Sequence, residues 1–544
     1  MKKSSLILML ALFTFSANAE YKGWEYVYCN SLAGQKFANV FGVECLLDSS
    51  GYIYELGIAD YVHDSYTDYD IVLAKFDSTG AILGDLIISR NANSSDVPIT
   101  MRINKETGRI YVLSNCTPKD SDSFAIVYCF DTFFNLLWTN EYKIATGNNL
   151  LANDLAIDAA GSIIFTGSYS TATKGKNIFI RKINSSGGSP KNKIYNNNNA
   201  LTDEEAFRIV CNADTSFFIL GYQVKPNKGK EFLLIKYNKA YQKVFQAPFN
   251  QNISAANDDI PEDLVISPAG DIYVTGRSFI NTGFQAVTVK YNSAGVKQWA
   301  NVYAPSSTGN QLIFSEGMIY VSCDSFNVIG YNEAGQLLKV MTSNGVAIHD
   351  FKLDVNKQLL AAGKTDTTYL GVNSYQGYMT RWDTAGNQQY EKMLPAFYHN
   401  GIGYASEYFK IVPIQKGWYI VGKRYNFNAT RRGYCMKLQI YTYQPLRIAE
   451  SEQQEITLSA FPNPASTQVK IQMNTNNATK AELTVFDLSG RCIKTFMFDN
   501  VQQPASELLW NLTDENGNQA GNGVYLVKLK TDSDLKTIKI LVNR

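Results

Sequence analysis

Eight times between Gly51 and Gly422 a short apolar run ends in a small residue and is followed by a polar loop, a second apolar run and a turn. The closing small residues are Gly57, Ser114, Gly167, Gly221, Gly276, Ser322, Gly363 and Gly422. Successive steps between them are 57, 53, 54, 55, 46, 41 and 59 residues. Runs this short, bounded by Gly and Asx, predict β-strands, and helical periodicity is almost missing. The strands are apolar on both alternating sets, as in Ile71-Val72-Leu73-Ala74 and Phe232-Leu233-Leu234-Ile235, which predicts sheets covered on both faces. A period near fifty is the length of one four-stranded propeller blade.

Each unit opens with an innermost strand, such as Leu155-Ala156-Ile157-Asp158, and turns through Gly51, Gly108, Gly161, Gly270, Gly317 or Gly417 into the second strand. The fourth and seventh units lack that glycine. The third strand ends in a basic-hydrophobic-Asx phrase, as in Lys75-Phe76-Asp77, Lys182-Ile183-Asn184, Lys236-Tyr237-Asn238, Lys290-Tyr291-Asn292 and Arg381-Trp382-Asp383. Asp or Asn caps a turn there, with Gly80, Gly187, Gly295, Gly335 or Gly386 three residues on. The repeated basic heads are read as snorkelling from strand ends rather than forming an anion ring. The last unit stops after its third strand, Tyr434-Cys435-Met436-Lys437-Leu438, and Trp24-Glu25-Tyr26-Val27-Tyr28-Cys29 supplies an orphan outer strand. Pairing the two would close the ring and leave no exposed edge. The expected fold is all-β: an eight-bladed β-propeller over residues 20–446, or seven blades if the short sixth copy does not form one.

After Pro445 the rhythm stops. Residues 447–455 form an acidic connector, and residues 456–544 show a new series of alternating strands, as in Val469-Lys470-Ile471-Gln472-Met473 and Tyr525-Leu526-Val527-Lys528-Leu529. Asx and Gly turns between them predict a small Ig-like β-sandwich. Asp514-Glu515-Asn516-Gly517-Asn518 has oxygen ligands at alternate positions, but Asn-Gly is a hairpin turn signal and no bidentate acid follows, so no metal site is assigned.

Residues 1–19 read as a signal peptide: Lys2 and Lys3, an apolar run from Leu6 to Phe15, and Ala17-Asn18-Ala19 before the cut. That run is too short to span a bilayer, and nothing later reaches the length of roughly 20 residues needed, so the mature chain has no predicted transmembrane segment. Removing Lys2 and Lys3 takes the formal charge from +1 to −1. Near-neutral charge gives no basic footprint for nucleic acid. Of eight cysteines none lies in a CxxC pair, which argues against zinc. Cys45 and Cys211 read as buried thiols, and Cys29 with Cys435 is the candidate disulfide of the closing blade.

Two stretches resemble known families. Asp70-Ile71-Val72-Leu73-Ala74-Lys75-Phe76-Asp77 with Gly80, and Lys290-Tyr291-Asn292 with Gly295 and Trp299, resemble the bacterial β-propeller repeat Asp-x-Phe/Tyr-Val-x-Lys-Tyr/Phe-Asp-x-x-Gly followed by Trp. In the C-terminal module, Phe461-Pro462-Asn463-Pro464, Asp487-Leu488-Ser489-Gly490-Arg491, Gly523-Val524-Tyr525 and the ending through Lys536 and Lys539 resemble the sorting domain of type IX secretion cargo. The resemblance implies the type IX machinery as a partner and delivery, via the periplasm, to the outer-membrane surface or the extracellular space.

No residue cluster announces a reaction. His63, His349 and His399 are isolated, no phosphate-binding glycine motif is present, and no cofactor is assigned. Asp60, Asp64 and Asp68, and Asp258, Asp259, Glu262 and Asp263, are the acids a glycosidase-type channel would use, but they read first as solvated loop charges. The loops joining second and third strands carry Tyr61, Tyr66, Tyr69, Tyr369, Tyr375, Tyr378, Tyr425 and Phe427 among polar neighbours, a composition suited to sugar rings or protein partners. Three readings stay open: a surface binding or scaffold module with a polysaccharide or surface-protein partner, a secreted carbohydrate-active enzyme, and a structural adhesin.

Overall fold

The computed structural model describes residues 20–28, 37–62, 67–78, 81–90, 94–144, 149–170, 175–196, 202–225, 229–251, 257–306, 308–369, 371–394, 397–399, 402–414, 417–427, 432–443, 457–474, 480–499, 506–531 and 535–543. The chain divides into two compact units, the first ending at Gln444 and the second beginning at Pro445.

The first unit is an array of four-stranded antiparallel sheets of the propeller type. Seven sheets are built from consecutive strands, with innermost strands Phe37–Leu47, Ser94–Ile103, Leu150–Ile157, Glu204–Cys211, Asp259–Ile266, Gly309–Ser315 and Ala347–Leu353. The eighth starts from Glu407–Ile414, continues through Gly417–Phe427 and Arg432–Tyr443, and takes its fourth strand, Glu20–Tyr28, from the other end of the chain. There Tyr26 lies opposite Leu438 and Tyr28 opposite Met436, antiparallel. Every consecutive pair of innermost strands is in contact, including the last with the first. The array therefore closes on itself. Cys29 and the side chain of Cys435 lie outside the described residues, while Cys45, Cys116, Cys129, Cys211, Cys323 and Cys492 are free thiols.

Apolar side chains on both faces of a sheet are covered by its two neighbours. Tyr54, Leu56, Ile71 and Leu73 of the first sheet pack on Met101, Ile110, Val112 and Ile126 of the second, and Ile53, Val72 and Ala74 pack on Tyr419 and Val421 of the eighth. All of these side chains are essentially inaccessible to solvent, and the Val, Leu, Ile and Met side chains among them contribute roughly 1.5–3 kcal/mol each by burial.

Each innermost strand carries a β-bulge at one level, at Val43, Ile99, Asn153, Phe207, Glu262, Asn310, His349 and Phe409. The bulge explains the small residue that closes the second strand. It pushes an innermost-strand carbonyl to where a Cβ would stand, so a side chain on Gly167, Gly221, Gly276, Gly363 or Gly422 would collide with backbone. In the sixth sheet the register differs by one: Cys323, not Ser322, stands opposite the residue before the bulge.

At the other end of the second strand, the turn glycines Gly51, Gly108, Gly161, Gly270 and Gly317 have φ between 71° and 85°. The two units that lack the glycine keep the conformation, with Thr215 at φ 62° and Lys357 at φ 61°.

The second unit holds a three-stranded sheet, Thr457–Phe461, Val469–Asn474 and Ser506–Trp510, and a four-stranded one, in order Cys492–Asp499, Lys480–Asp487, Gly523–Thr531 and Leu535–Val542. Val469, Ile471 and Trp510 of the one share a core with Leu483, Val485, Val527 and Ile540 of the other. Among the described residues no helix is long and apolar enough to cross a membrane.

Candidate functional site

A bulge breaks the two-residue alternation, so the residue after it turns a polar side chain toward the next innermost strand. These residues are Glu44, Thr100, Asp154, Arg208, Asp263, Gln311, Asp350 and Lys410. Around the array they alternate acid with neutral or basic, and they link neighbours. Thr100 Oγ1 donates to Glu44 at 3.2 Å, and Arg102 bridges Glu44 at 3.4 Å and Asp154 at 3.0 Å. Asp154 accepts the Ile209 N–H at 3.0 Å, Asp263 the Leu312 N–H at 2.9 Å and Asp350 the Ile411 N–H at 3.0 Å. Arg208 faces Asp263 at 3.6 Å, Gln311 donates to Asp350 at 3.2 Å, and Lys410 returns to Glu44 at 3.8 Å. The acids are the more buried partners, with the Asp154 and Asp350 side chains 6% and 1% exposed, while Arg102 and Arg208 keep 35% and 40% of theirs in contact with water. Burial pushes the Asp263 carboxyl up against the pull of Arg208, whereas at Asp350 the same burial is outweighed by Lys352, at 2.7 Å, and Lys410, leaving it low.

Antiparallel order brings the start of each innermost strand to the same end of its sheet as the loop between second and third strands. At that end Glu407, which opens the innermost strand of the eighth sheet, is surrounded by Lys364 at 3.4 Å, Lys423 at 3.5 Å and His349 Nε2 at 3.7 Å. Lys423 Nζ lies 5.6 and 5.5 Å from the rings of Phe41 and Phe409, and Lys364 Nζ stands 4.4 Å over Tyr375, which is 40% exposed. Burial lowers the His349 pKa; Glu407 opposes that and the nearby lysines reinforce it, so His349 is neutral at pH 7. Two lysines against one glutamate leave a formal charge of +1.

The aromatic residues proposed from sequence separate. Tyr375 flanks this mouth, and Tyr69 is half-buried opposite Asp60. Tyr378 is a correction: it is fully buried, edge-on to Phe326 at 4.9 Å with its hydroxyl donating to Glu391 at 2.8 Å, because it faces the sixth sheet. The side chains of Tyr61, Tyr66, Tyr369, Tyr425 and Phe427 lie outside the described residues. Asp259, Glu262 and Asp263 are also corrected, since they lie in an innermost strand rather than a solvated loop. Of the repeated basic residues, Lys182 meets Asp158 at 2.6 Å and Lys290 meets Asp271 at 2.8 Å within their own sheets, while Lys75 and Lys290 also donate to a turn carbonyl of the next sheet. The sequence signal for the polar ring was two adjacent polar residues inside an apolar strand, as in Asn153-Asp154, Glu262-Asp263 and His349-Asp350. Read individually they look like loop charges; read as a set they mark the bulge.

In the second unit the motif residues hold its turns and edges. Asn463 donates to the Lys539 carbonyl at 2.9 Å and accepts the Leu541 N–H at 2.8 Å, fixing the segment with Pro462 and Pro464 to the last strand, which also carries Lys536. Asp487 caps the turn through Gly490, accepting N–H groups of Ser489 and Arg491 at 3.0 Å, with the Arg491 guanidinium at 3.2 Å. Tyr525, two residues after Gly523, packs on Trp510 at 5.7 Å and donates to the Gly521 carbonyl at 2.8 Å. Asp514 accepts the Asn516 and Asn518 N–H groups at 2.9 and 2.8 Å, which makes that segment a capped turn.

Residues 459–543 match the family described as the secretion system C-terminal sorting domain. The chain is thus marked for export through the type IX system to the cell surface or the extracellular space. A search of curated protein sequences finds no match. Among solved structures, the chain is similar to PorZ, a bacterial surface component of the type IX secretion system of Porphyromonas gingivalis, at 12% identity and TM-score 0.37, covering 92% of this chain and 74% of that one. It is also similar to the Dos1 propeller, at 10% identity and TM-score 0.46 over 78% of this chain and 95% of that one. BamB from Moraxella catarrhalis gives 13% identity and TM-score 0.34 over 63% and 96%.

Proposed function

We propose that the mature protein, freed of residues 1–19, is an eight-bladed propeller over residues 20–446 joined by the connector 447–455 to an Ig-like sorting sandwich, and that it works at the cell surface as a glycan-binding module. Eight four-stranded sheets support the blade count. So does the alternation of acid with neutral or basic residues around the ring, which closes without a mismatch only for an even number of blades.

The observation that carries the binding role is the mouth built by Lys364, Lys423, His349, Glu407 and Tyr375. An exposed ring beside a net-positive cluster offers a stacking face and charge-assisted donors, which suits a sugar carrying a carboxylate or sulfate. The four ring acids, by contrast, are engaged in holding neighbouring sheets, so binding is favoured over hydrolysis.

The test is retention of the full chain on immobilised acidic and neutral polysaccharides, with release of reducing ends measured in the same samples. Retention on an acidic polymer that falls at least about tenfold in Lys423→Ala supports the reading. Reducing-end release would replace it with the enzyme, and no retention on any polymer would leave the adhesin or scaffold role.

A further inference from the structure

The opposite end of the sheets carries a second feature that the loop-face reading does not use. Turns between first and second strands, and between third and fourth, gather there. Where the first sheet meets the second, Asp48, Ser50, Tyr52, Lys75, Leu83 and Phe133 line a cleft of about 400 Å³, at the small end of ligand-binding clefts.

Comparison among the repeats makes this junction unusual. The third residue of the turn between third and fourth strands is Ser186, Ala240, Ala294, Ala334 and Ala385 in five copies, but Phe133 in the second. Phe133 is 81% exposed. A large apolar side chain at a turn tip gains nothing from folding, so packing does not account for it. Tyr52 and Leu83, 37% and 52% exposed, form the other side of the cleft.

Lys75 reaches across to donate to the Thr132 carbonyl of the second sheet at 2.9 Å, as Lys290 does to the Glu333 carbonyl of the sixth sheet at 3.2 Å, while Lys182 ties back to Asp158 of its own sheet. The Lys75 ammonium lies 4.4 Å from the centroid of Tyr52, 5.1 Å from Tyr54 and 5.5 Å from Phe133. One cation thereby holds the aromatic walls from both sheets in place. Asp48, fixed by the Ser50 and Tyr52 N–H groups at 2.8 and 2.9 Å, sets a carboxylate at the rim.

We propose that this cleft is a second glycan subsite, which takes one neutral pyranose unit stacked on Phe133 with hydroxyls toward Asp48, Ser50 and Lys75. Exposed rings meet the CH face of a sugar, and a carboxylate beside an ammonium matches the donor and acceptor character of adjacent hydroxyls. Asp48 and Asp131 near Lys75 leave no excess of positive charge, so an uncharged sugar fits here where an acidic one fits the mouth. The inference rests on the glycan-binding reading but concerns a different face and a different sugar class.

Calorimetric titration of the full chain with neutral hexasaccharides of glucose, mannose, galactose and N-acetylglucosamine, and with N-acetyl-phenylalanine amide as a peptide probe, tests it. At least one hexasaccharide should bind, with affinity falling at least about tenfold in Phe133→Ala and unchanged in Lys423→Ala. Alanine is what four sister turns carry, so the thermal midpoint should not move. Neutral-sugar binding that survives Phe133→Ala, or is lost instead in Lys423→Ala, overturns the subsite while leaving the mouth standing. No binding by any hexasaccharide, or binding only of N-acetyl-phenylalanine amide, overturns it as well.

Discussion

The two ends of the second strand in each propeller sheet obey different rules, although the repeat writes both with glycine. At the loop-face end the residue faces a bulged carbonyl, and Gly167, Gly221, Gly276, Gly363 and Gly422 have no room for a Cβ. At the turn end the requirement is only a positive φ, and there Thr215 and Lys357 replace glycine without loss of the turn. A strained dihedral costs about 1–2 kcal/mol and the fold can carry it, whereas the strand-closing site takes only small residues, glycine in most sheets, Ser114 in the second and Cys323 in the sixth. The turn glycine, which local rules mark as least replaceable, gives way to residues as large as threonine and lysine.

The most severe test of that contrast is Gly221→Val. Its side chain would overlap the Glu205 carbonyl and lie 2.8 Å from the Ala206 Cα, both backbone, so first and second strands must separate. We expect destabilisation of at least about 4 kcal/mol, read as a fall in the urea midpoint or as failure to accumulate folded protein. A loss below about 1 kcal/mol would mean that the bulge can relax, and that the small residue closes the strand for some other reason.

Much of this architecture was legible in the sequence. The spacing of Gly57 through Gly422, the Asx turn caps and the orphan strand at Trp24 gave the repeat and its closure, and Glu20–Tyr28 does pair with Arg432–Tyr443. The bulge was not legible, because one inserted residue changes the side-chain alternation without changing composition. Hence Asp263 read as a loop charge, and Ser322 as the closing residue where Cys323 has that register. Tyr378 failed for a related reason: a strand covered on both faces hides which of its aromatics lie within the covered length.

Midway along the second strand of the first sheet, between its turn and loop ends, Glu55 sharpens the comparison by adding a chemical constraint to the steric ones. It is fully buried opposite Cys45 and Ala74, and neither carboxyl oxygen has a hydrogen-bond partner among the described residues. Burial pushes its pKa up to about 8, against an ordinary value of 4.5. The folded state therefore binds a proton that the unfolded chain releases, so its contribution is intact below about pH 4.5 and is lost as pH rises toward 8. Between pH 5 and 7 this group should lower stability by about 2 to 3 kcal/mol. Urea unfolding at several pH values should show that decline in the wild type and a flatter profile in Glu55→Gln. Equal slopes would mean that Glu55 finds a partner or water when it ionises.

The smallest effect probes the turn end directly. Thr215 holds φ at 62° with a β-branched side chain, a conformation that costs about 1–2 kcal/mol relative to glycine. Thr215→Gly removes that strain but frees the unfolded chain, at a cost of roughly 0.5–1 kcal/mol. The balance predicts stabilisation of about 0.5 to 1 kcal/mol, and somewhat less for Lys357→Gly, because lysine is not branched at Cβ and is less strained at φ 61°. Both variants should raise the thermal midpoint with the turn otherwise unchanged. If Thr215→Gly instead destabilises, its hydroxyl or methyl group makes a contact that outweighs the strain, and the turn end would be as specifically constrained as the end that faces the bulge.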